Sequence, residues 1–86
     1  MPTISSFYGI LIQMYWNDHA PPHFHVRYSG FKATVAIQDL TVLTGHLPRT
    51  AERLVLEWAA EHQEELMEDW RLCEMKAQPS QIAPLP

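Results

Sequence analysis

Three of the five histidines in this 86-residue chain lie within one short segment, Asp18-His19-Ala20-Pro21-Pro22-His23-Phe24-His25. Imidazole is a common protein ligand for transition metals, and its titration near neutral pH also suits acid–base catalysis. No other stretch of the sequence has a comparable density of groups that bind metals or transfer protons. Any chemical activity is therefore expected to start from these residues.

The spacing of the histidines permits a metal site. His23 and His25 are two residues apart, so on a β-strand their rings project from the same face, and the Pro-Pro loop can bring His19 back over them. Catalytic zinc and non-haem iron sites commonly take three protein ligands and keep a position open. The candidate ligands for a divalent transition metal such as zinc are His19, His23 and His25, with Asp18 orienting one ring. The alternative is that the chain holds no cofactor.

Two interpretations without a metal remain open. In the first, the imidazoles are hydrogen-bonded surface groups that complete the polar face of a hairpin beside Arg27. In the second, neutral histidines act with Arg27 and a tyrosine as acid, base and phosphate-binding groups, as an RNA-cleaving enzyme requires. The sequence does not identify a catalytic residue. It defines only a candidate functional cluster: Asp18, His19, His23, His25 and Arg27.

Hydrophobic periodicity predicts the strands that carry these residues. Residues 7–16 alternate at period two and predict the first strand. Residues 23–28 and 31–38 predict an amphipathic hairpin, and a shorter fourth strand is expected around residues 41–44. On this pattern one face of the hairpin presents His23, His25 and Arg27.

The second half of the chain predicts a helix, because apolar residues recur at helical spacing from Ala51 to Cys73 before Pro79 prevents continuation. The predicted fold class is α+β: an antiparallel sheet of three to four strands packed by a long C-terminal helix. A kink or split of that helix is allowed near residues 60–63. One α+β domain is expected over residues 1–78, followed by an extended or loose tail over residues 79–86.

The first predicted strand also suggests a protein partner. Its reverse face carries Phe7, Leu11 and Tyr15, which one helix on the opposite face cannot cover. Contiguous exposed apolar patches usually mark a contact site. We therefore expect a homo-oligomer or a complex with a second protein.

Charge and composition indicate which partners and which cellular compartment to expect. The net charge of −4 disfavours nucleic acid as a partner without excluding it, because the acids concentrate in one block and leave room for a basic face elsewhere. That block comprises Glu61, Glu64, Glu65, Glu68 and Asp69. The lone Cys73 and the lack of a charged-then-apolar leader predict the cytoplasm. No apolar run approaches the roughly 20 residues that span a bilayer.

Several motifs in order resemble a bacterial and archaeal family known as domain of unknown function 4160. The resemblance covers nearly the whole chain, and Asp69-Trp70 stands where the family leads us to expect Asn-Trp. The matching motifs are Met1 to Ser5, Phe7-Tyr8-Gly9, Asp18-His19, Pro21-Pro22-His23-Phe24-His25, Leu47-Pro48 and Glu57-Trp58-Ala59.

The resemblance implies a partner and names no reaction. Members of this family are suspected of belonging to two-gene modules of toxin–antitoxin type. It thus implies an interaction component whose partner is a second small protein from the same operon. The alternative, from the residues alone, is a small metal-binding or RNA-cleaving enzyme that uses His19, His23 and His25.

Overall fold

The alternating N-terminal half forms a five-stranded antiparallel sheet, and the C-terminal half forms two helices. The computed structural model describes residues 2–86, so Met1, the first residue of the opening motif and of the predicted domain, lies outside the described residues. The strands lie side by side in chain order. The elements are β1 Thr3–Phe7, β2 Ile10–Gln13, β3 His23–Tyr28, β4 Phe31–Ala36, β5 Val42–His46, α1 Arg49–Glu61 and α2 Gln63–Glu74.

The prediction of three to four strands was wrong, because a tight turn divides the first predicted strand. Tyr8 and Gly9 have φ of 52° and 79°, and Phe7 pairs with Ile10 across them. Two consecutive residues with positive φ make the two-residue turn whose twist matches a hairpin. Residues 7–16 therefore contribute to β1 and β2 rather than to one strand.

The same turn corrects the predicted reverse face of the first strand. Phe7 lies at the end of β1 and is buried against Trp58, with ring centroids 5.4 Å apart. Leu11 is partly exposed, and Tyr15 lies beyond the end of β2 in the loop towards β3. The three side chains thus do not form the continuous apolar patch that the alternation suggested.

The predicted split of the C-terminal helix is confirmed. His62 separates α1 from α2, with φ −126° and ψ 23°, within the predicted range 60–63. The helical stripe is buried on both pieces as its spacing indicated. The buried residues are Ala51, Val55, Trp58, Ala59, Leu66, Trp70 and Cys73.

One face of the sheet packs on the helices, and the core residues Phe24 and Trp58 meet there with ring centroids 6.0 Å apart. The opposite side chains of the same strands form what we call the open face. Cross-strand pairing aligns them in two rows, Leu11–Arg27–Lys32–His46 and Gln13–His25–Thr34–Thr44.

Residues 79–86, predicted to be extended or loose, contain no helix or strand and pack on the domain. Ile82 is buried, and its N–H donates to Ile4 O at 2.8 Å. Trp58 Nε1–H donates to Ala83 O at 2.8 Å. These contacts hold the tail along β1. The boundary at residue 78 between the domain and its tail stays a prediction.

Within residues 2–86, neither helix has the length and apolar character that crossing a membrane requires.

Candidate functional site

The loop between β2 and β3 is fixed against the end of α2, and this places Asp18 beside β3. Asn17 N–H donates to Cys73 O at 3.4 Å, and Trp16 Nε1–H donates to Ala77 O at 3.1 Å. His23 and His25 project from β3 on the same side, as their spacing predicted. The loop therefore brings a carboxylate to two imidazoles that the strand has already aligned.

Asp18 Oδ2 contacts both rings. It lies 3.0 Å from His23 Nε2 and 2.8 Å from His25 Nε2, while Oδ1 accepts the His19 backbone N–H at 3.0 Å. We call Asp18, His23 and His25 the Asp-His-His cluster. One ligand atom from each residue lies within 4.8 Å of the other two.

The pKa of the Asp18 carboxyl is lower than usual. Burial by itself raises it, but the hydrogen bond from His25, the charges of the two rings and the His19 N–H together outweigh that effect. The carboxylate is therefore ionised at neutral pH and is an acceptor only.

The hydrogen bonds of His23 leave one nitrogen facing an acceptor. Its Nδ1 lies 2.7 Å from Pro21 O, and a carbonyl only accepts, so Nδ1 carries a proton. In a neutral ring Nε2 then has a lone pair directed at the Asp18 carboxylate, 3.0 Å away. Two acceptors at this distance require a proton or a metal ion between them. The His23 side chain is 5% exposed, which makes the position costly for an unpaired charge.

His19, predicted as the third ligand, lies beside the cluster rather than in it. Its side chain is 88% exposed, and its Nδ1 lies 3.2 Å from Asp18 Oδ1. Its ring centroid is 5.6 Å from that of His23. Asp18, which the sequence suggested only as an orienting acceptor, touches both strand histidines instead.

Aromatic rings enclose the cluster on two sides. The Tyr15 ring lies 4.1 Å from the His25 ring, and the Trp70 ring lies 5.3 Å from the His23 ring, measured between centroids. On its remaining side the cluster faces a hollow that Thr34 and Thr44 also line.

This hollow continues into a groove across the open face. His25, Thr34 and Thr44 line both, and the groove extends over Tyr15, Arg27 and Lys32. Arg27 belonged to the predicted cluster, and it lies on the same face two residues beyond His25. A ligand in the groove could contact the two cations and the Asp-His-His cluster together.

A family model described as domain of unknown function (DUF4160) matches residues 9–71. The chain belongs to this family. The match includes the Asp-His-His cluster, strands β2 to β5, and Arg27 and Lys32 of the groove. Comparisons with curated proteins and with solved structures each found no match.

Other reactive side chains of this DUF4160 chain lie outside the groove. Cys73 is buried in the core, where burial raises the pKa of its thiol and the charge of Asp69 adds to the effect, so it is a poor nucleophile. The His62 ring packs 5.4 Å from that of Trp58. Neither side chain contributes a ligand atom to the Asp-His-His cluster.

Sequence reasoning missed several residues of the groove. Lys32 and Thr34 fall in the predicted hairpin and Thr44 in the predicted fourth strand, but no functional role was predicted for them. The alternation of side chains along a strand could have identified Lys32 and Thr34, because the even-numbered residues of β4 lie on the same face of the sheet as His25. The register that sets Thr44 opposite Thr34 could not be read from the sequence, because β4 and β5 pair through an irregularity.

Proposed function

We propose that this DUF4160 protein binds one divalent transition metal ion through Asp18 Oδ2, His23 Nε2 and His25 Nε2. The observation that carries the proposal is the His23 ring, whose Nδ1–H is held by Pro21 O and whose other nitrogen faces a carboxylate. Metal-ligating histidines characteristically donate their second N–H to a carbonyl or carboxylate, which fixes the ring and its tautomer.

The distances from Asp18 Oδ2 to the two ring nitrogens suit a metal site after a small outward movement of the carboxylate. Tetrahedral ligands about 2.1 Å from a metal lie roughly 3.4 Å from one another, whereas Asp18 Oδ2 lies 2.8 Å from His25 Nε2 and 3.0 Å from His23 Nε2. Asp18 lies on a loop and can supply the few tenths of an ångström, whereas the histidines are held by β3.

Two nitrogens and one carboxylate leave part of the coordination sphere open. In this fold the open side is the hollow lined by Thr34 and Thr44. A metal here would present a bound water, with a lowered pKa, to a molecule lying in the groove. The proposed activity is therefore that of a small metal-dependent enzyme, and zinc or iron(II) suits the donor set.

Elemental analysis of protein purified without an affinity tag tests the site. We expect about one metal ion per chain, and a loss of at least about tenfold in affinity for Asp18→Asn and His25→Gln. His46→Gln removes an exposed histidine outside the cluster and should leave binding unchanged. Circular dichroism shows whether each variant folds. Folded protein that takes up no stoichiometric zinc or iron would overturn the proposal, and loss of metal in His19→Gln would restore the three-histidine set.

A second candidate function is the one that the family resemblance implies, an interaction component of a two-gene, toxin–antitoxin-like module. The observation that favours it is the free edge of β5: within residues 2–86, no strand pairs with it on its outer side, and Leu43 on it is 43% exposed. Such an edge can accept a strand from a partner. The proposed partner is a small protein from the same operon.

Co-expression with the neighbouring gene product, followed by size exclusion with light scattering, tests this function. A complex that Leu43→Glu disrupts and Leu11→Glu does not would support binding at β5. A homodimer with the same sensitivity would assign the edge to a second copy of the chain. A monomer that never co-purifies with that product would exclude the interaction function.

We propose the cytoplasm as the compartment. Cys73 is a free and buried thiol in the core, and an unpaired buried thiol is the usual state of cysteine in a reducing environment.

A further inference from the structure

The open face carries two like charges directly opposite each other. Arg27 on β3 pairs with Lys32 on β4, and both side chains are exposed. Like charges at opposed positions of neighbouring strands are destabilising. Within residues 2–86, neither side chain forms an ion pair that would offset this repulsion. An anionic ligand between the two cations would remove it.

The acidic residues of the chain are separated from this face. Eight of the ten lie on α1 and α2, which pack on the other side of the sheet. Of the remaining two, Asp18 is engaged by the histidines and Asp39 accepts a hydrogen bond from Thr41 in the turn before β5. The net charge of −4 thus belongs to the helical side, and the open face is locally positive.

Two ring side chains lie beside the two cations, because Tyr15 lines the same groove and His46 pairs with Lys32. Tyr15 packs on His25 at one end of the groove. At the other side, His46 pairs with Lys32 in the same row of the open face, and its ring packs against Phe31 with centroids 5.8 Å apart. Cations that follow a backbone between aromatic stacking surfaces are the usual composition of a single-strand binding face.

Hydroxyl groups form the floor of the groove between these rings. Thr34 Oγ1 and Thr44 Oγ1 lie 2.7 Å apart, and each can donate or accept. Ribose differs from deoxyribose by a hydroxyl that makes the same kinds of hydrogen bond. Both helices pack on the opposite side of the sheet, so the open face offers a sheet surface rather than a helix for a duplex groove, which favours a single strand over a double one.

We propose that the open face binds single-stranded RNA, with phosphates between Arg27 and Lys32 and bases against Tyr15 and the His46 ring. The proposal goes beyond the metal site and does not depend on it. The RNA lies in the groove that leads to the Asp-His-His cluster. A metal held there would be next to the phosphate backbone.

Fluorescence anisotropy with a labelled oligouridine of about 10 nucleotides tests the proposal at low salt. Arg27→Ala and Lys32→Ala should each weaken binding about tenfold, the effect of one lost charge-assisted hydrogen bond. Each should also lower the slope of log affinity against log salt by about 0.7, the value for one phosphate contact on a single strand. Arg53→Ala is the matched control, because it removes the same charge from the exposed side of α1.

Each outcome supports or overturns the proposal. Folded Arg27→Ala and Lys32→Ala variants that bind normally, or an equal loss in Arg53→Ala, would exclude the open face. Equal binding of the matching DNA would overturn the assignment to RNA, and stronger binding of polyglutamate would assign the face to an acidic protein instead. The measurement is repeated in the presence of chelator and with the Asp18→Asn variant. RNA binding that persists under both conditions shows that this proposal does not depend on the metal site.

Discussion

Asp69 is a buried acid whose environment disfavours its charge. Its Oδ1 accepts the Ser80 N–H at 2.8 Å, whereas its Oδ2 is buried without a partner. Burial raises the pKa of this carboxyl and the nearby Glu65 and Glu68 add to the rise, against the opposing effect of the Ser80 hydrogen bond. The family resemblance led us to expect asparagine at this position, which carries no charge.

Asp69→Asn should therefore stabilise the protein at neutral pH. Because folding raises the pKa of Asp69, this side chain contributes most to stability below about pH 4, where it is protonated in both the folded and the unfolded protein. Its contribution then falls as pH rises towards the folded-state pKa. We expect Asp69→Asn to raise the free energy of unfolding by about 1 kcal/mol at pH 7 and by less at pH 4.

Urea unfolding at the two pH values measures this difference. Ser80→Ala is the control, since the contact to Asp69 uses the Ser80 backbone and should persist. An unchanged or lower midpoint for Asp69→Asn at pH 7 would show that the second oxygen has a partner in solution.

At the scale of the elements, Gly45 determines how β5 meets β4. Its φ is 81°, and a Cβ at this position would lie 2.2 Å from Lys32 O and 2.8 Å from Ala33 Cα. Any other residue would combine a strained backbone with a clash against the neighbouring strand. The glycine thus fixes the approach of the strand that completes the groove.

Gly45→Ala is expected to destabilise the protein by about 3 kcal/mol, because backbone strain and the clash add. Gly30→Ala is the matched control. A Cβ there meets nothing within 4 Å, so its effect should stay within about 1 kcal/mol. Thermal unfolding of both variants measures the contrast, and equal stability of the two would contradict the close approach of β5 to β4.

The C-terminal segment, residues 79–86, also packs as part of the fold. Ile82 is 4% exposed, and the Trp58 indole in the centre of the core uses Ala83 O as its acceptor. Ile82→Ala should lower the free energy of unfolding by about 3 kcal/mol, as expected for a buried isoleucine. Gln81→Ala, at an exposed neighbour, should have a smaller effect. A change below about 0.5 kcal/mol for Ile82→Ala would indicate that the tail detaches in solution.

At the scale of the whole molecule, metal binding and folding should be coupled. The proposed ligands come from β3 and from a loop fixed on α2, so the complete set exists only in the folded chain. Free zinc at about 100 times its dissociation constant would stabilise the fold by about 2.7 kcal/mol. For a domain of this size the melting temperature should rise by roughly 10–20 °C.

Calorimetry with zinc and then with excess chelator measures this coupling. The increase should reverse with chelator and should be lost in Asp18→Asn, while His46→Gln should keep it. A melting temperature that zinc leaves unchanged in protein shown to hold the ion would contradict a site shared between the loop and the sheet.

The sequence determined the local features of this protein. Period-two and helical spacing gave the α+β class, the hairpin of β3 and β4, the buried stripe and the break near His62. The family could be inferred from the motifs, and His23 and His25 had to share a face because strand parity has period two. The division of the first strand was missed because a positive φ at Tyr8 is not evident from an alternating apolar run.

Only the tertiary structure decided what surrounds those histidines. Asp18, rather than His19, contacts both rings because of how the loop docks on α2. A docking contact between residues far apart in the chain leaves no periodic signal in the sequence. The positive groove likewise depends on register. Lys32 and Thr44 join Arg27 and His25 only when the strands pair in one alignment and the acidic helices cover the other face. Net charge could not reveal that separation, because it sums over both sides of the sheet.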